Sequence, residues 1–277
     1  GGGEYSSNFY SSAWSSKIPV LYGKDNVHGM GDVTNATIFP HNIGLGATRD
    51  SALVRRIGEA VAIEMWAAHI DLNFSPAVSV PRDERWGRTY EGYGENPDLV
   101  AAMGAAYVRG LQGDNFDAEW RIISTAKHFL GDGATDKGYD RGNATISDDE
   151  LRAIHLPPYI AAIEQGVQSV MASFNQINGV HQHVDSLRLT VLLKKELGFD
   201  GYVIADWEGI ENSTTPGAAG NYSGSYTGVS STDAVKNAIN AGIDMAMVPQ
   251  SSGTFIDAMK SLVSSGKISE DRVRDAV

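Results

Sequence analysis

Short apolar or β-branched runs alternate along this chain with longer stretches whose apolar residues recur every three to four positions. That alternation is the pattern of βα units around a parallel sheet. The strand candidates are residues 18–22, 70–74, 122–126, 169–173, 202–205 and 245–248. Between them, Leu53, Val54, Ile57, Val61 and Met65 mark one helix face, and Leu187, Val191, Leu192 and Leu197 mark another that stops at Gly198. Ser147 with Glu150 three residues on reads as a capping box opening a helix that carries Leu151, Ile154 and Ile163. Further helices are expected over residues 97–112, 233–241, 254–264 and 269–277. No G-x-G-x-x-G follows the first strand, so a (β/α)8 TIM-like barrel fits better than a dinucleotide-binding fold. With fewer strands than a full ring, the barrel is expected to be a single domain over residues 1–277, cut at both ends. Residues 212–232, rich in Gly, Ser, Thr and Tyr, read as a long loop.

Composition narrows the function classes. A hydrophobic share of 42% can fill a large core, and 31 glycines with 9 prolines in no three-residue period exclude a collagen-like chain. The net charge of −12 offers no footprint for phosphate backbones or anionic lipid. No run approaches the roughly 18 apolar residues of a membrane span. Nucleic acid and membrane are therefore not expected partners. The absence of cysteine removes disulfides and thiolate metal sites.

In a barrel, chemistry collects where each strand gives way to its following loop. Here those positions are polar. The first strand leads into Gly23-Lys24-Asp25-Asn26-Val27-His28-Gly29, and the second to Arg82-Asp83-Glu84-Arg85-Trp86-Gly87-Arg88. The third ends in Lys127-His128, and residues 202–205 end in Asp206-Trp207-Glu208-Gly209. Carboxylates, cations and an indole on one face suit a neutral polyol, because charged side chains give directional hydrogen bonds to hydroxyls and an indole stacks on the apolar face of a sugar ring. A lone strand-end Asp is more often a helix cap, and a lone Arg more often a rim ion pair. Four strand ends loaded alike weigh against that bland reading.

Asp206 follows Val203-Ile204-Ala205 directly, which places a carboxylate at the barrel mouth as a nucleophile requires. Glu208 two residues on is the weaker candidate for a partnering acid, since such near neighbours more often share one subsite. His128 serves as a hydroxyl ligand or a base, and the charge of Lys127 favours its neutral form. His181 and His183 have the spacing of a metal pair, but no third ligand is evident, so neither metal nor cofactor is expected. His69 and His155 sit in helical contexts and read as packing or surface residues.

These motifs resemble the N-terminal barrel domain of family 3 glycoside hydrolases, in the β-glucan exohydrolase and β-glucosidase branch, over residues 18–277. Further carriers are Ala36-Thr37-Ile38-Phe39-Pro40-His41-Asn42 and Ala126-Lys127-His128-Phe129. The resemblance implies retaining, exo-acting hydrolysis of β-glucosides or β-glucans through a glucosyl-Asp206 intermediate. It implies Trp207 as the indole stacking on the next sugar. Asp25, Arg88, Lys127 and His128 would hold the terminal glucosyl unit, with Asp132 in a lesser role. Its usual setting is the periplasm or outside the cell.

Two departures follow from the same resemblance. Phe174 stands where the family often carries a tyrosine near the nucleophile, so a hydroxyl donor to Asp206 is lost. The branch draws its acid/base glutamate from a second, C-terminal α/β domain, which this chain is expected to lack, so the chain alone is expected to be a weak catalyst. A sugar-binding barrel fragment, a β-xylosidase and a β-N-acetylglucosaminidase remain the alternatives. The last is disfavoured because the loop Gly131-Asp132-Gly133-Ala134-Thr135-Asp136 lacks the histidine that would serve it.

Overall fold

Val54, Ile57, Val61 and Met65 are all buried along one side of the helix Ser51–Ala67, which begins where the Asp50 carboxylate accepts the Leu53 N–H at 2.9 Å. The computed structural model describes residues 20–114, 120–213 and 231–277. The helix Pro97–Gln112 starts with the Asn96 side chain capping Asp98 and Leu99 and with proline at its first position. The two helices cross at Gly58 and Gly110. A Cβ on Gly110 would lie 2.3 Å from the Arg55 carbonyl oxygen and 2.8 Å from the Gly58 Cα. Backbone thus meets backbone, and only glycine permits it.

The strands are β1 (Gly23–Lys24), β2 (Leu72–Asn73), β3 (Ile123–Phe129), β4 (Asn143–Ala144), β5 (Ser169–Ala172), β6 (Gln176–Ile177), β7 (Val180–His181) and β8 (Tyr202–Ile204). β1, β2, β3, β5 and β8 pair side by side in that order, all parallel. Helices return the chain between them, which is the wall of a TIM-like (β/α) barrel. The ring does not close among the described residues. β4, β6 and β7 form a small separate sheet built from the loops that leave β3 and β5. Its hairpin turns at Asn178 and Gly179, both with positive φ, as a two-residue loop of this hand demands.

Several expectations need correction. Residues 18 and 19 of the expected first strand, and residues 214–230 of the expected long loop, lie outside the described residues; the first described strand begins at Gly23, one residue past the expected end. β3 runs to Phe129 instead of stopping at Ala126, so Lys127 and His128 are strand residues, and its register slips between Ala126 and Phe129. The expected strand over 245–248 keeps its place but not its regularity. Met245 N–H donates to Val203, Ala205 N–H donates to Met245 and Glu208 N–H donates to Met247, yet no further strand pairs on its other side among the described residues. The helix opened by Ser147 is capped as expected, with its hydroxyl accepting the Glu150 N–H, but it widens over Leu151–His155 and restarts as Pro157–Glu164. Pro157 and Pro158 carry no N–H to continue the ladder.

Candidate active site

The carboxyl ends of the parallel strands surround a cavity of about 960 Å³ whose lining includes Asp25, Arg88, Lys127, His128, Phe174, Asp206 and Trp207. Seven of the expected site residues are therefore brought together. Asp25 follows β1 and accepts from the Lys127 ammonium at 2.5 Å; Lys127 is buried on β3 while Asp25 is exposed toward the opening. Arg88 comes from the loop after β2, and its guanidinium grips the Glu91 carboxylate with two bonds of 2.9 and 2.8 Å. Burial works against that charge, but Glu91, Asp132 and Asp206 raise the Arg88 pKa above the usual arginine value. Glu91 is likewise opposed by burial and still held below the usual carboxylate range by Arg88.

His128 sits buried between two partners, Nδ1 at 2.8 Å from Asp132 Oδ2 and Nε2 at 3.0 Å from Arg88 Nη2. Burial first, then Arg88, pushes its pKa well below the usual histidine value, and Lys127 adds less. The imidazole is neutral, as the Lys127 neighbour suggested, but mainly for another reason. Asp132 was expected among the sugar ligands; it is buried behind His128 instead, bonded also by the Ser79 hydroxyl at 3.2 Å, and does not line the cavity. Its carboxylate contacts the imidazole only at Nδ1, and burial raises its own pKa.

Asp206 follows β8 with its side chain mostly buried. Its Oδ1 accepts the Trp207 backbone N–H at 2.7 Å, and its Oδ2 lies 3.7 Å from His128 Nε2. Asp206 thus has a backbone amide donor, although Phe174 offers it no hydroxyl. Trp207 is half exposed at the cavity edge. Phe174 forms a wall and carries the Arg141 guanidinium 4.1 Å above its ring. Glu208 does not line the cavity; burial and then Glu211 push its pKa up.

Sequence reasoning missed Glu91 and Arg141, and it gave His28 and His41 no role of their own although both stand in the motifs it quoted. The Glu91 signal was its i, i+3 spacing from Arg88. His28 and His41 meet at 3.9 Å between ring centroids with their planes tilted by 37°, with Tyr90 edge-on to His41 at 4.8 Å, and all line the cavity. His181 and His183 part company: His181 Nε2 meets Gln176 Nε2 at 2.9 Å, while His183 Nε2 accepts the Asp206 N–H at 3.0 Å. Among the described residues no group of three His, Asp or Glu side chains is placed to hold a metal ion.

Fold and site together define a (β/α)-barrel protein with a pocket of carboxylates, paired cations and a rim indole at its strand ends. The chain belongs to glycosyl hydrolase family 3: the model of that family's N-terminal domain matches residues 4–277. A lysosomal β-glucosidase of Dictyostelium discoideum is 35% identical over 263 residues, covering 93% of this chain and 31% of that protein. A periplasmic β-glucosidase of Salmonella typhimurium is 31% identical, covering 94% and 32%. The crystal structure of an exo-1,3/1,4-β-glucanase from a Pseudoalteromonas species superposes with a TM-score of 0.84 at 45% identity, covering 94% of this chain and 31% of that one. The chain thus spans about a third of the length of these relatives.

Proposed function

We propose that this barrel carries the nucleophile and glycone pocket of a retaining, exo-acting β-glucosidase or β-glucan exohydrolase. One observation carries the reading. The cavity carboxylates Asp25, Asp32, Glu91 and Asp140 each face a lysine or arginine, namely Lys127, Lys24, Arg88 and Arg141. Asp206 faces only the neutral His128 at ion-pair range among the described residues. A carboxylate with one oxygen fixed by an amide and the other turned toward an uncharged ring keeps a lone pair for attack on an anomeric carbon.

The charged pairs hold the sugar. Asp25 and Lys127, with Arg88 and His128 opposite, present acceptors and donors to the hydroxyls of a terminal glucosyl unit, and Trp207 offers its face to the next ring. The proton for the leaving oxygen comes from outside the residues described, because each remaining cavity carboxylate already balances a cation. The relatives' extra length supports a second domain as its source, and their periplasmic and lysosomal settings support action outside the cytosol. No described helix is long and apolar enough to cross a membrane.

The test is mass spectrometry after incubation with 2,4-dinitrophenyl 2-deoxy-2-fluoro-β-glucoside. A gain of one fluoroglucosyl unit on the peptide containing Asp206 is expected. No label alongside measurable glucose binding favours a binding barrel, and a label on Glu208 overturns the site.

A further inference from the structure

The parallel ladder between β5 and β8 pairs Ser169 with Tyr202, Val170 with Val203 and Met171 with Ile204, and stops there. Ser173 and Asp206 lie two residues beyond the last pair, where the strands are no longer tied by their own backbones. His183 fills that gap. Its Nε2 accepts the Asp206 N–H at 3.0 Å, and the Ser173 backbone lies close enough to the ring to favour its protonated form. The ring is 2% exposed and lies against Phe174 with centroids 5.8 Å apart. Across it sits Gly209: a Cβ there would come within 2.1 Å of His183 Nε2. The glycine leaves room for the imidazole to reach the Asp206 amide.

We propose that His183 is a positioning residue for the nucleophile, a neutral imidazole bridge that replaces the missing ladder bond and fixes the backbone from which Asp206 projects. This rests on the assignment of Asp206 given above. The tautomer follows from the geometry, since an Nε2 that accepts an N–H leaves the proton on Nδ1. Burial, and then His181, lowers its pKa to about 3, so the acceptor persists at neutral and mildly acidic pH. His183 neither gives nor takes a proton. In the glycosylation step Asp206 Oδ2 forms a bond to C1, the C1–O bond breaks, and its electron pair leaves with the phenolate. What His183 controls is the aim of that oxygen, and a displacement of about 1 Å in a reacting group costs on the order of a hundredfold in rate.

The experiment measures the rate of fluoroglucosyl labelling against reagent concentration for the full chain and three variants. His183→Phe keeps the bulk of the ring and removes the acceptor; it is expected to lower the saturating rate about 10- to 100-fold while the half-saturating concentration stays within about twofold. His183→Gln returns an acceptor at similar reach and is expected to label within about threefold of wild type. Gly209→Ala keeps the histidine but displaces it, and is expected to behave like His183→Phe, so the inference survives a failure of either variant to fold. Wild-type rates in folded His183→Phe or Gly209→Ala overturn it, as does a Gln variant as slow as the Phe variant at equal thermal stability. Failure of wild type to label at Asp206 overturns the proposed function instead, before any variant is compared.

Discussion

Arg88 donates to Nε2 of His128 at 3.0 Å, and this contact decides which imidazole nitrogen carries the proton. A guanidinium has no lone pair to accept with, so Nε2 is bare and the proton sits on Nδ1 facing Asp132. The nitrogen beside Asp206 is therefore an acceptor. Its lone pair is engaged by Arg88, and the uncharged ring leaves the negative charge of Asp206 unneutralised.

Three buried histidines share this neutrality. His128 is held well below the usual value, His155 at about 4 and His183 at about 3, each chiefly by burial. The unfolded chain takes up these protons near pH 6.5, whereas the folded protein refuses them until the pH reaches the lowered values. Their contribution is thus present above about pH 6.5 and is lost as pH falls toward 4. Each histidine steepens the loss by about 1.4 kcal/mol per pH unit in that window. Urea midpoints at pH 7 and pH 5 should differ clearly, and His155→Phe should shrink the difference. Equal midpoints at both pH values contradict buried neutral histidines.

Asp206→Ala removes the attacking oxygen but leaves the pocket. Turnover of dinitrophenyl β-glucoside should fall on the order of a thousandfold or more. Azide should restore part of it by entering the vacated space on the face opposite the leaving group, giving the α-glucosyl azide by a single displacement. NMR of the product decides the matter: β-glucosyl azide, or undiminished turnover without azide, removes Asp206 from its role.

Part of this site was legible because it obeys strand chemistry. Val203-Ile204-Ala205 is an apolar run that ends on Asp206, and the structure ends β8 just before it. Lys127 and His128 were found for a slightly wrong reason. They lie within the last residues of a strand with a register slip, which the residue types do not announce. His183 was hidden by its spacing from His181: alternate residues share a face only in a strand, but β7 ends at His181 and the chain turns over Gln182–Val184. Arg141 on Phe174 joins a loop to a strand end from 33 positions away, a pairing that only tertiary packing creates.

The pairing of every other cavity carboxylate predicts how the chain depends on its leaving group. Dinitrophenolate departs without protonation, whereas the alcohol leaving from a disaccharide needs a general acid worth about a hundred- to ten-thousandfold. This chain should cleave dinitrophenyl β-glucoside measurably and laminaribiose far more slowly relative to a longer family member. Comparing kcat/KM for both substrates in both proteins tests it. Equal losses on the two substrates show that the chain is deficient in something other than proton donation.

The crossing at Gly58 and Gly110 makes a stability prediction opposite in sign to helix propensity. Alanine in place of glycine inside a helix ordinarily gains about 0.5–1 kcal/mol. At Gly110 the added methyl would meet the Arg55 carbonyl oxygen at 2.3 Å and the Gly58 Cα at 2.8 Å, both backbone atoms that no rotamer change can move. Gly110→Ala should therefore destabilise by about 1–3 kcal/mol through forced separation of the two helices. Gly253, in the helix Ser252–Ser264, has nothing within 4 Å of its would-be Cβ, so Gly253→Ala should be neutral or stabilising. Denaturant midpoints of the two variants give the comparison. The separation should also reach the pocket, because Gln112 at the end of the crossing helix accepts the Ser124 N–H of β3 at 3.1 Å, on the strand that carries Lys127 and His128. A Gly110→Ala protein as stable as wild type contradicts the close backbone approach at this crossing.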